Sequence, residues 1–538
     1  MEESRGTSPW TGEISRRTVV RGALVGGLGL ASGGLLAACG DSDGGSASQT
    51  TGGAAGSPKR GGTLRVGAVG AGSAETLDPQ RFVNSIDGVR DYQLYDPLVY
   101  YNLEGTGLDY LLAESIEPNA TGDTWTIRLR DGVEFHNGKT LDAEDVRYSM
   151  QRMGEDTSTA GAVFKTDIVP SSYKVLDKRT LRFSLKAPNF LLADSFSDYQ
   201  GRIVPVGFDV RRPVGTGPFK FVSFDRGRES TFVRFENHWR EGKPYLDEVR
   251  IISFEDSVAM VNALLSDQVD VIVGMPLSQV EQVQSHARLK TIQSLAPQQW
   301  IPIAMRMDVA PWNDVRVRQA MKLLVDRPAM VQNVFGGKGV VANDYQFVLP
   351  TFGDPGIPQR ERDIEQAKSL LKAAGQADLR VEMATAEFVP EAVPSAQVFA
   401  QQAKDAGVTI DVRKLDTGVF YGDEFLKRPL SNDYWPSGTY QVSAASSLLP
   451  KPGTPFNETH FADPEWRRHF LAAQATRDRE GQVEHIHECM RIENERGGYV
   501  IWGAQHNLDG ASKRVEGISG DRVDALGSYK LYDAYLTS

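Results

Sequence analysis

Trp125-Thr126-Ile127-Arg128-Leu129-Arg130-Asp131-Gly132-Val133-Glu134-Phe135-His136-Asn137-Gly138-Lys139-Thr140-Leu141-Asp142-Ala143-Glu144-Asp145-Val146 decides how the chain must fold. Its first six residues alternate apolar and polar, the period of a strand with one buried face. Asp131-Gly132 and Asn137-Gly138 are dipeptides suited to hairpin turns, and the first predicts a hairpin directly after the strand. Asp142 predicts a helix cap, with Glu144 and Asp145 in the first turn, where the helix dipole favours negative charge. The helix runs to about Met153. Strand, turns and helix in one stretch imply a mixed α/β body.

Outward from this stretch the same elements recur. Gly61 to Gly67 alternates as a strand, and Val175-Leu176 with Leu181 to Leu185 predicts a second hairpin. Phe219 to Phe254 is strand-rich, with Phe219, Phe221, Phe224, Phe232, Phe235, Val249, Ile251 and Phe254 as candidate core. Helices and strands then alternate: a strand over 299–306, a helix capped by Asp314, helices over 364–374, 393–406, 464–475 and 480–496, and a strand at Tyr499-Val500-Ile501. A β-rich part followed by βαβ units implies more than one lobe.

The chain has 538 residues, 40% hydrophobic and 24% charged, with net charge −11; without residues 1–38, which carry four Arg and three Glu, it is −12. An acidic body of this kind excludes nucleic acid as a partner class. Only two cysteines are present, Cys39 and Cys489. With Cys39 in the leader, no internal disulfide is expected.

The leader reads as an export tag. Arg16-Arg17 sits in Ser15-Arg16-Arg17-Thr18-Val19-Val20, an apolar glycine-rich run spans Ala23 to Ala38, and Leu36-Ala37-Ala38-Cys39 closes it. The pattern predicts a twin-arginine signal over 1–38. The last four residues resemble a bacterial lipobox, which would make Cys39 a lipidation site. At about 16 residues the run is short of the roughly 20 a membrane-spanning helix needs. Residues 39–58 are Gly- and Ser-rich, a linker with a coil reach of roughly 25 Å. The expectation is an extracytoplasmic, membrane-anchored lipoprotein.

Catalytic motifs are missing. There is no Gly-x-Ser-x-Gly and no His-Glu-x-x-His: His487-Glu488 is followed by Cys489, Met490 and Arg491. His485 and Cys489 share a helix face, but His487 lies about 200° round from His485, so the three do not converge. No metal site, cofactor or enzyme activity is expected.

Four segments in order resemble the peptide- and nickel-binding, type 5 family of ABC-importer solute-binding proteins: 125–146; Val214-Gly215-Thr216-Gly217-Pro218-Phe219-Lys220-Phe221; Glu236 to Arg240 with Pro244 to Asp247; and Asn313 to Met321 with Val325 to Arg327. Gly62 to Gly67 and Gly498 to Ile501 complete a resemblance over 60–538. The glycines of Val214–Pro218 read as a turn using positive φ. The resemblance implies a two-lobe periplasmic-binding-protein-like α/β fold (type II, large cluster) closing about a hinge. Lobe I would be 59–298 and 503–538, with an extra subdomain at about 100–205, and lobe II 299–502. It also implies a monomer that takes a small organic solute to the transmembrane subunits of a permease. A sensor, a surface hydrolase or a metal-chelate binder on the same fold is the alternative.

Peptide-binding relatives place an Asp three residues after a lobe II Trp, to meet the peptide amine. Trp435 fits, but Gly438 stands at the third position, leaving Asp433 as the available acid. Other candidate ligand contacts are Gln299 and Trp300 at the first crossing, Trp502 at the return, Tyr434 and Tyr440 in the aromatic loop, Asn457, Glu458 and, in lobe I, Thr76.

Overall fold

The computed structural model describes residues 58–537 apart from 71, 83, 103, 450–455 and 522–528. The expected signal over 1–38, the lipid site at Cys39 and the linker as far as residue 57 lie outside the described residues. The body is an α/β fold of two lobes. The first is built on a seven-stranded sheet in the order Leu289–Gln293, Leu508–Ser512, Val271–Ile272, Thr63–Val69, Glu248–Phe254, Glu229–Arg234, Phe219–Asp225. Thr63–Val69 is parallel to both its neighbours, and its Leu64, Val66 and Ala68 are buried, as its alternation requires. Phe219, Phe232, Phe235, Val249 and Ile251 are buried; Phe221, Phe224 and Phe254 pack, half-buried, at the margins.

A four-stranded antiparallel sheet stands beside it, in the order Ala113–Pro118, Thr124–Leu129, Thr180–Ser184, Lys174–Asp177. The helix Ala143–Met153 lays Val146, Met150 and Met153 on this core. Asp142 caps it as a reciprocal box: its carboxylate accepts the N–H groups of Glu144 and Asp145, and Asp145 accepts that of Asp142 at 3.1 Å. The predicted hairpin at Asp131-Gly132 does not form. Strand Thr124–Leu129 takes its partners from elsewhere in the chain, because Val133 and Phe135 are buried in the core instead of continuing a ladder.

Two of the sequence segments meet here, and the reading of one is corrected. Gly215 and Gly217 are not in the positive-φ region. Backbone proximity requires them to be glycine: a Cβ at Gly215 would stand 1.9 Å from the Leu94 carbonyl oxygen, and one at Gly217 2.5 Å from that of Gln93. His136 clamps the same loop, accepting the Gly215 N–H on Nδ1 at 3.2 Å and pairing with the Gly217 carbonyl through Nε2 at 2.9 Å.

The second lobe has a five-stranded sheet in the order Thr409–Leu415, Arg380–Ala386, Leu430–Asn432, Ile303–Met305, Tyr499–Val500. Val317, Met321, Met330, Val334 and Phe399, from helices Val315–Leu323, Arg327–Phe335 and Ala392–Ala403, cover it. The strand expected over 299–306 is two strands in two sheets, interrupted at Pro302, which has no N–H to continue a ladder.

Candidate functional site

The chain crosses between the lobes twice, and the crossings pair. Gln299–Trp300 lies between Gly503–Gln505 and Trp435–Pro436 in a small four-stranded sheet, and Gly503–Gln505 leads back to Leu508–Ser512 in the first lobe. Amide side chains bind the crossings together. Gln505 donates to Gln299 at 2.6 Å, Asn507 donates to Gln298 at 2.7 Å, and Gln298 donates to the Asp521 carbonyl at 2.8 Å.

Antiparallel pairing sets Trp300 opposite Trp435, and their rings stack at 6.0 Å and 19°. Tyr499 meets Trp300 edge-on, and Phe456 meets Trp435 in the same way. Beneath this aromatic group lie two carboxyls, Asp433 and Glu458, 5% and 6% exposed. Asp433 accepts from the Tyr421 hydroxyl at 2.6 Å and from the Tyr434 N–H at 2.8 Å; Glu458 accepts from the Tyr499 hydroxyl at 3.0 Å. The two carboxyls lie close enough for the charge of one to act on the other, and the Trp435 indole N–H makes no hydrogen bond among the described residues.

Burial pushes Asp433 up to about 6. Burial, followed by the charge of Asp433, drives Glu458 well above the usual carboxylate range. Two buried acids this close each disfavour the ionisation of the other. Among the described residues no Lys, Arg or His neutralises them. The arrangement can do one thing well: a cation placed beside it would restore both carboxylates.

Of the residues singled out from sequence, Trp300, Asp433, Tyr434, Trp435 and Glu458 therefore come together. Gln299 joins the crossing network. The others are placed elsewhere. Tyr440 is fully buried, hydrogen-bonded to Glu493 and to the Trp466 indole, inside the helical part of lobe II. Trp502 stacks on Phe335 at 4.5 Å in the sheet core. Asn457 organises its own loop, accepting the Phe461 N–H and donating to the Phe461 carbonyl. Thr76 donates its N–H to Asp87 in lobe I. Tyr421, Tyr499, Phe388 and Phe456 complete the group and were not foreseen, because Tyr421 and Phe388 lie on separate loops with no motif of their own. Phe388 stacks on Tyr434 at 5.8 Å.

The lobes touch close by. Phe190 donates its N–H to the Gln474 carbonyl at 2.7 Å, and Leu191 enters the lobe II core. Tyr100 and Tyr101 pack on Leu349. Asp194 is pushed up to about 6 by burial and feels the opposing charge of Arg479. Among the described residues no group of three or more His, Cys, Asp or Glu is arranged for a metal ion, and no helix is long and apolar enough to cross a membrane.

This architecture, with its paired crossings, is that of a two-lobe solute-binding protein. Residues 108–457 match the family described as bacterial extracellular solute-binding proteins, family 5 Middle, and the chain belongs to it. It is 26% identical over 319 residues to the nickel-binding protein NikA of Staphylococcus aureus, covering 56% of this chain and 60% of that one. It is 28% identical over 352 residues to the oligopeptide-binding protein AppA of Bacillus subtilis, covering 60% and 61%. The chain thus spans about six tenths of the length of these curated relatives. Among solved structures, Helicobacter pylori DppA in complex with the peptide STSA superposes with a TM-score of 0.76 at 19% identity, covering 89% of this chain and 99% of that one. NikZ of Campylobacter jejuni in complex with Ni(L-His) gives 0.76 at 17% identity, covering 88% and 99%.

Proposed function

We propose that the protein captures a small organic solute bearing a cationic group between its lobes and delivers it, unreacted, to the transmembrane subunits of an ABC permease. The observation that carries this reading is the Asp433–Glu458 pair, buried under Trp435 with no Lys, Arg or His among the described residues to neutralise it. Burying such a pair is costly unless a partner arrives. Trp435 and Tyr434 offer ring faces that attract an ammonium or guanidinium group. Tyr199 of the first lobe lies within electrostatic reach of Tyr434, so closure would cover whatever is held there. A peptide amine is one such group, and the names of the relatives that bind peptides are consistent with it. In this reading lobe I is 59–298 with 503–538, lobe II is 299–502, and the crossings form the hinge.

The signal over 1–38 would export this body, and a lipid on Cys39 would hold it, as a monomer, at the outer face of a membrane. Intact-mass measurement of membrane-extracted protein would show a diacylglyceryl adduct that Cys39→Ala loses. For the solute, native mass spectrometry of protein purified without refolding identifies what co-purifies, and thermal shift ranks a panel of peptides, amines, sugars and metal chelates. The expected result is stabilisation by cationic compounds. Stabilisation by neutral sugars alone, or by nothing in the panel, would overturn the proposal.

A further inference from the structure

The helices Pro464–Ala475 and Arg479–Arg496 lie against each other on the second lobe, and their inner faces are locked by Trp466, Phe470, Ala473, Ile486, Cys489 and Met490 in one buried cluster. On their half-buried faces this frame brings His469 and His485 together. Their Nδ1 atoms stand 3.2 Å apart, with ring centroids at 5.3 Å. Arg468 donates to His469 Nε2 at 3.0 Å, which puts the His469 proton on Nδ1, where it is donated to His485 Nδ1. Cys489, one turn from His485, takes no part: its thiol is buried and directed at the Trp466 carbonyl. His487 is bonded to the Phe352 carbonyl.

The separation of the two nitrogens has a second meaning. Metal–nitrogen bonds of about 2.0–2.1 Å hold two nitrogens about 3.3 Å apart at the tetrahedral angle of Zn(II) and about 2.9 Å apart at the right angle of a tetragonal Cu(II) or Ni(II), and 3.2 Å lies between the two. The imidazoles therefore already stand at the bite distance of a chelate, held by rigid helices instead of loops. We propose that His469 and His485 form a site for a borderline divalent transition ion, Cu(II), Ni(II) or Zn(II), bound through both Nδ1 atoms and completed by water. Imidazole nitrogen suits these ions, with Cu(II) the tightest. On binding, the His469 proton passes through solvent from Nδ1 to Nε2 with no net release, and Arg468, 65% exposed, turns away. Glu465 and Glu488 lie near enough to favour added positive charge. The site is independent of the solute reading.

The test is titration of the full chain with CuSO4, NiCl2 and ZnCl2 in a non-chelating buffer, read by calorimetry and, for Cu(II), by electron paramagnetic resonance. The expected result is one Cu(II) per chain with Kd of about 10 µM or tighter, two equatorial nitrogens in the spectrum, and loss of at least about tenfold in affinity for His469→Ala or His485→Ala. His487→Gln should leave binding unchanged. Should an alanine variant fail to fold, His469→Asn and His485→Asn keep the polar shape and are read identically. No Cu(II) bound at about 1 mM, or unchanged affinity in the double variant, would overturn the proposal. The second outcome would place the ion elsewhere, the interlobe cleft included.

Discussion

Asp270 in the first lobe and Asp433 in the second are both sealed from solvent, yet the fold treats them in opposite ways. Asp270 accepts the Arg65 N–H at 2.8 Å and the Arg65 guanidinium at 2.9 and 3.0 Å, and it meets Arg514 as well. Burial alone would raise it, but its bonds to Arg65 and Arg514 outweigh that and hold it below the usual range. Among the described residues Asp433 has only hydroxyl, amide and carboxyl partners, and burial pushes it up. The first is a completed ion pair that joins Thr63–Val69 to the loop before Val271 and to the C-terminal segment. The second is half of an ion pair. A buried acid supplied with its own cations is architecture; in the proposed function, one without them receives its cation from the solute.

The largest expected effect separates the two on stability. Asp270→Asn leaves two guanidinium groups facing a neutral side chain. With Arg65 and Arg514 30% and 39% exposed, water screens part of the loss. The cost should be about 2–3 kcal/mol in urea denaturation, below the 3–5 of a fully buried pair. Asp433→Asn should leave stability unchanged or raise it slightly, while weakening a cationic solute at least about tenfold. Equal destabilisation by both variants would break the comparison.

Trp435→Ala should reduce affinity for the same solute at least about tenfold, because it removes the ring over Asp433 and Glu458. Since that ring is also core, Trp435→Phe separates folding from binding: it should retain stability and lose affinity. Unchanged affinity in both would remove Trp435 from the site.

The pH profiles should run in opposite directions. For Asp270 the folded value lies below the unfolded one, so its stabilisation is complete above about pH 4 and is lost as pH falls through the depressed folded value. For Asp433 the folded value, about 6, exceeds the ordinary 3.8. The folded protein then binds more protons, so this contribution is best below about pH 4 and declines as pH rises through 6. Melting temperature followed from pH 4 to pH 7.5 in wild type and Asp433→Asn should differ by that decline, and parallel curves would contradict it. The smallest effect is Tyr421→Phe, which removes one hydroxyl bond to Asp433, costs about 1 kcal/mol, and raises the Asp433 value further.

Several elements were legible in the sequence because their causes are local. The capped helix after Asp142, the alternating strand at Thr63–Val69 and the helix after Asp314 depend on neighbours a few residues away, and they stand where expected. The chain's failures have non-local causes. Glycine at 215 and 217 reads as a turn until Leu94 is seen pressed against it. The strand before Asp131-Gly132 resembles one arm of a hairpin, but partners from residues 113–118 and 180–184 satisfy it first. Tyr440 and Trp502 look like ligand contacts by composition and position, yet Glu493 and Phe335 hold them in the interior.

The amino-acid order by itself determined the α/β class, the family and the aromatic loop around Trp435, since periodicity, caps and turns act over short range. Only the tertiary structure decided which acids would lack a cation and which histidines would meet. Asp433 and Glu458, like His469 and His485, belong to separate elements, and their electrostatics depend on distance and burial that exist only after the lobes have packed.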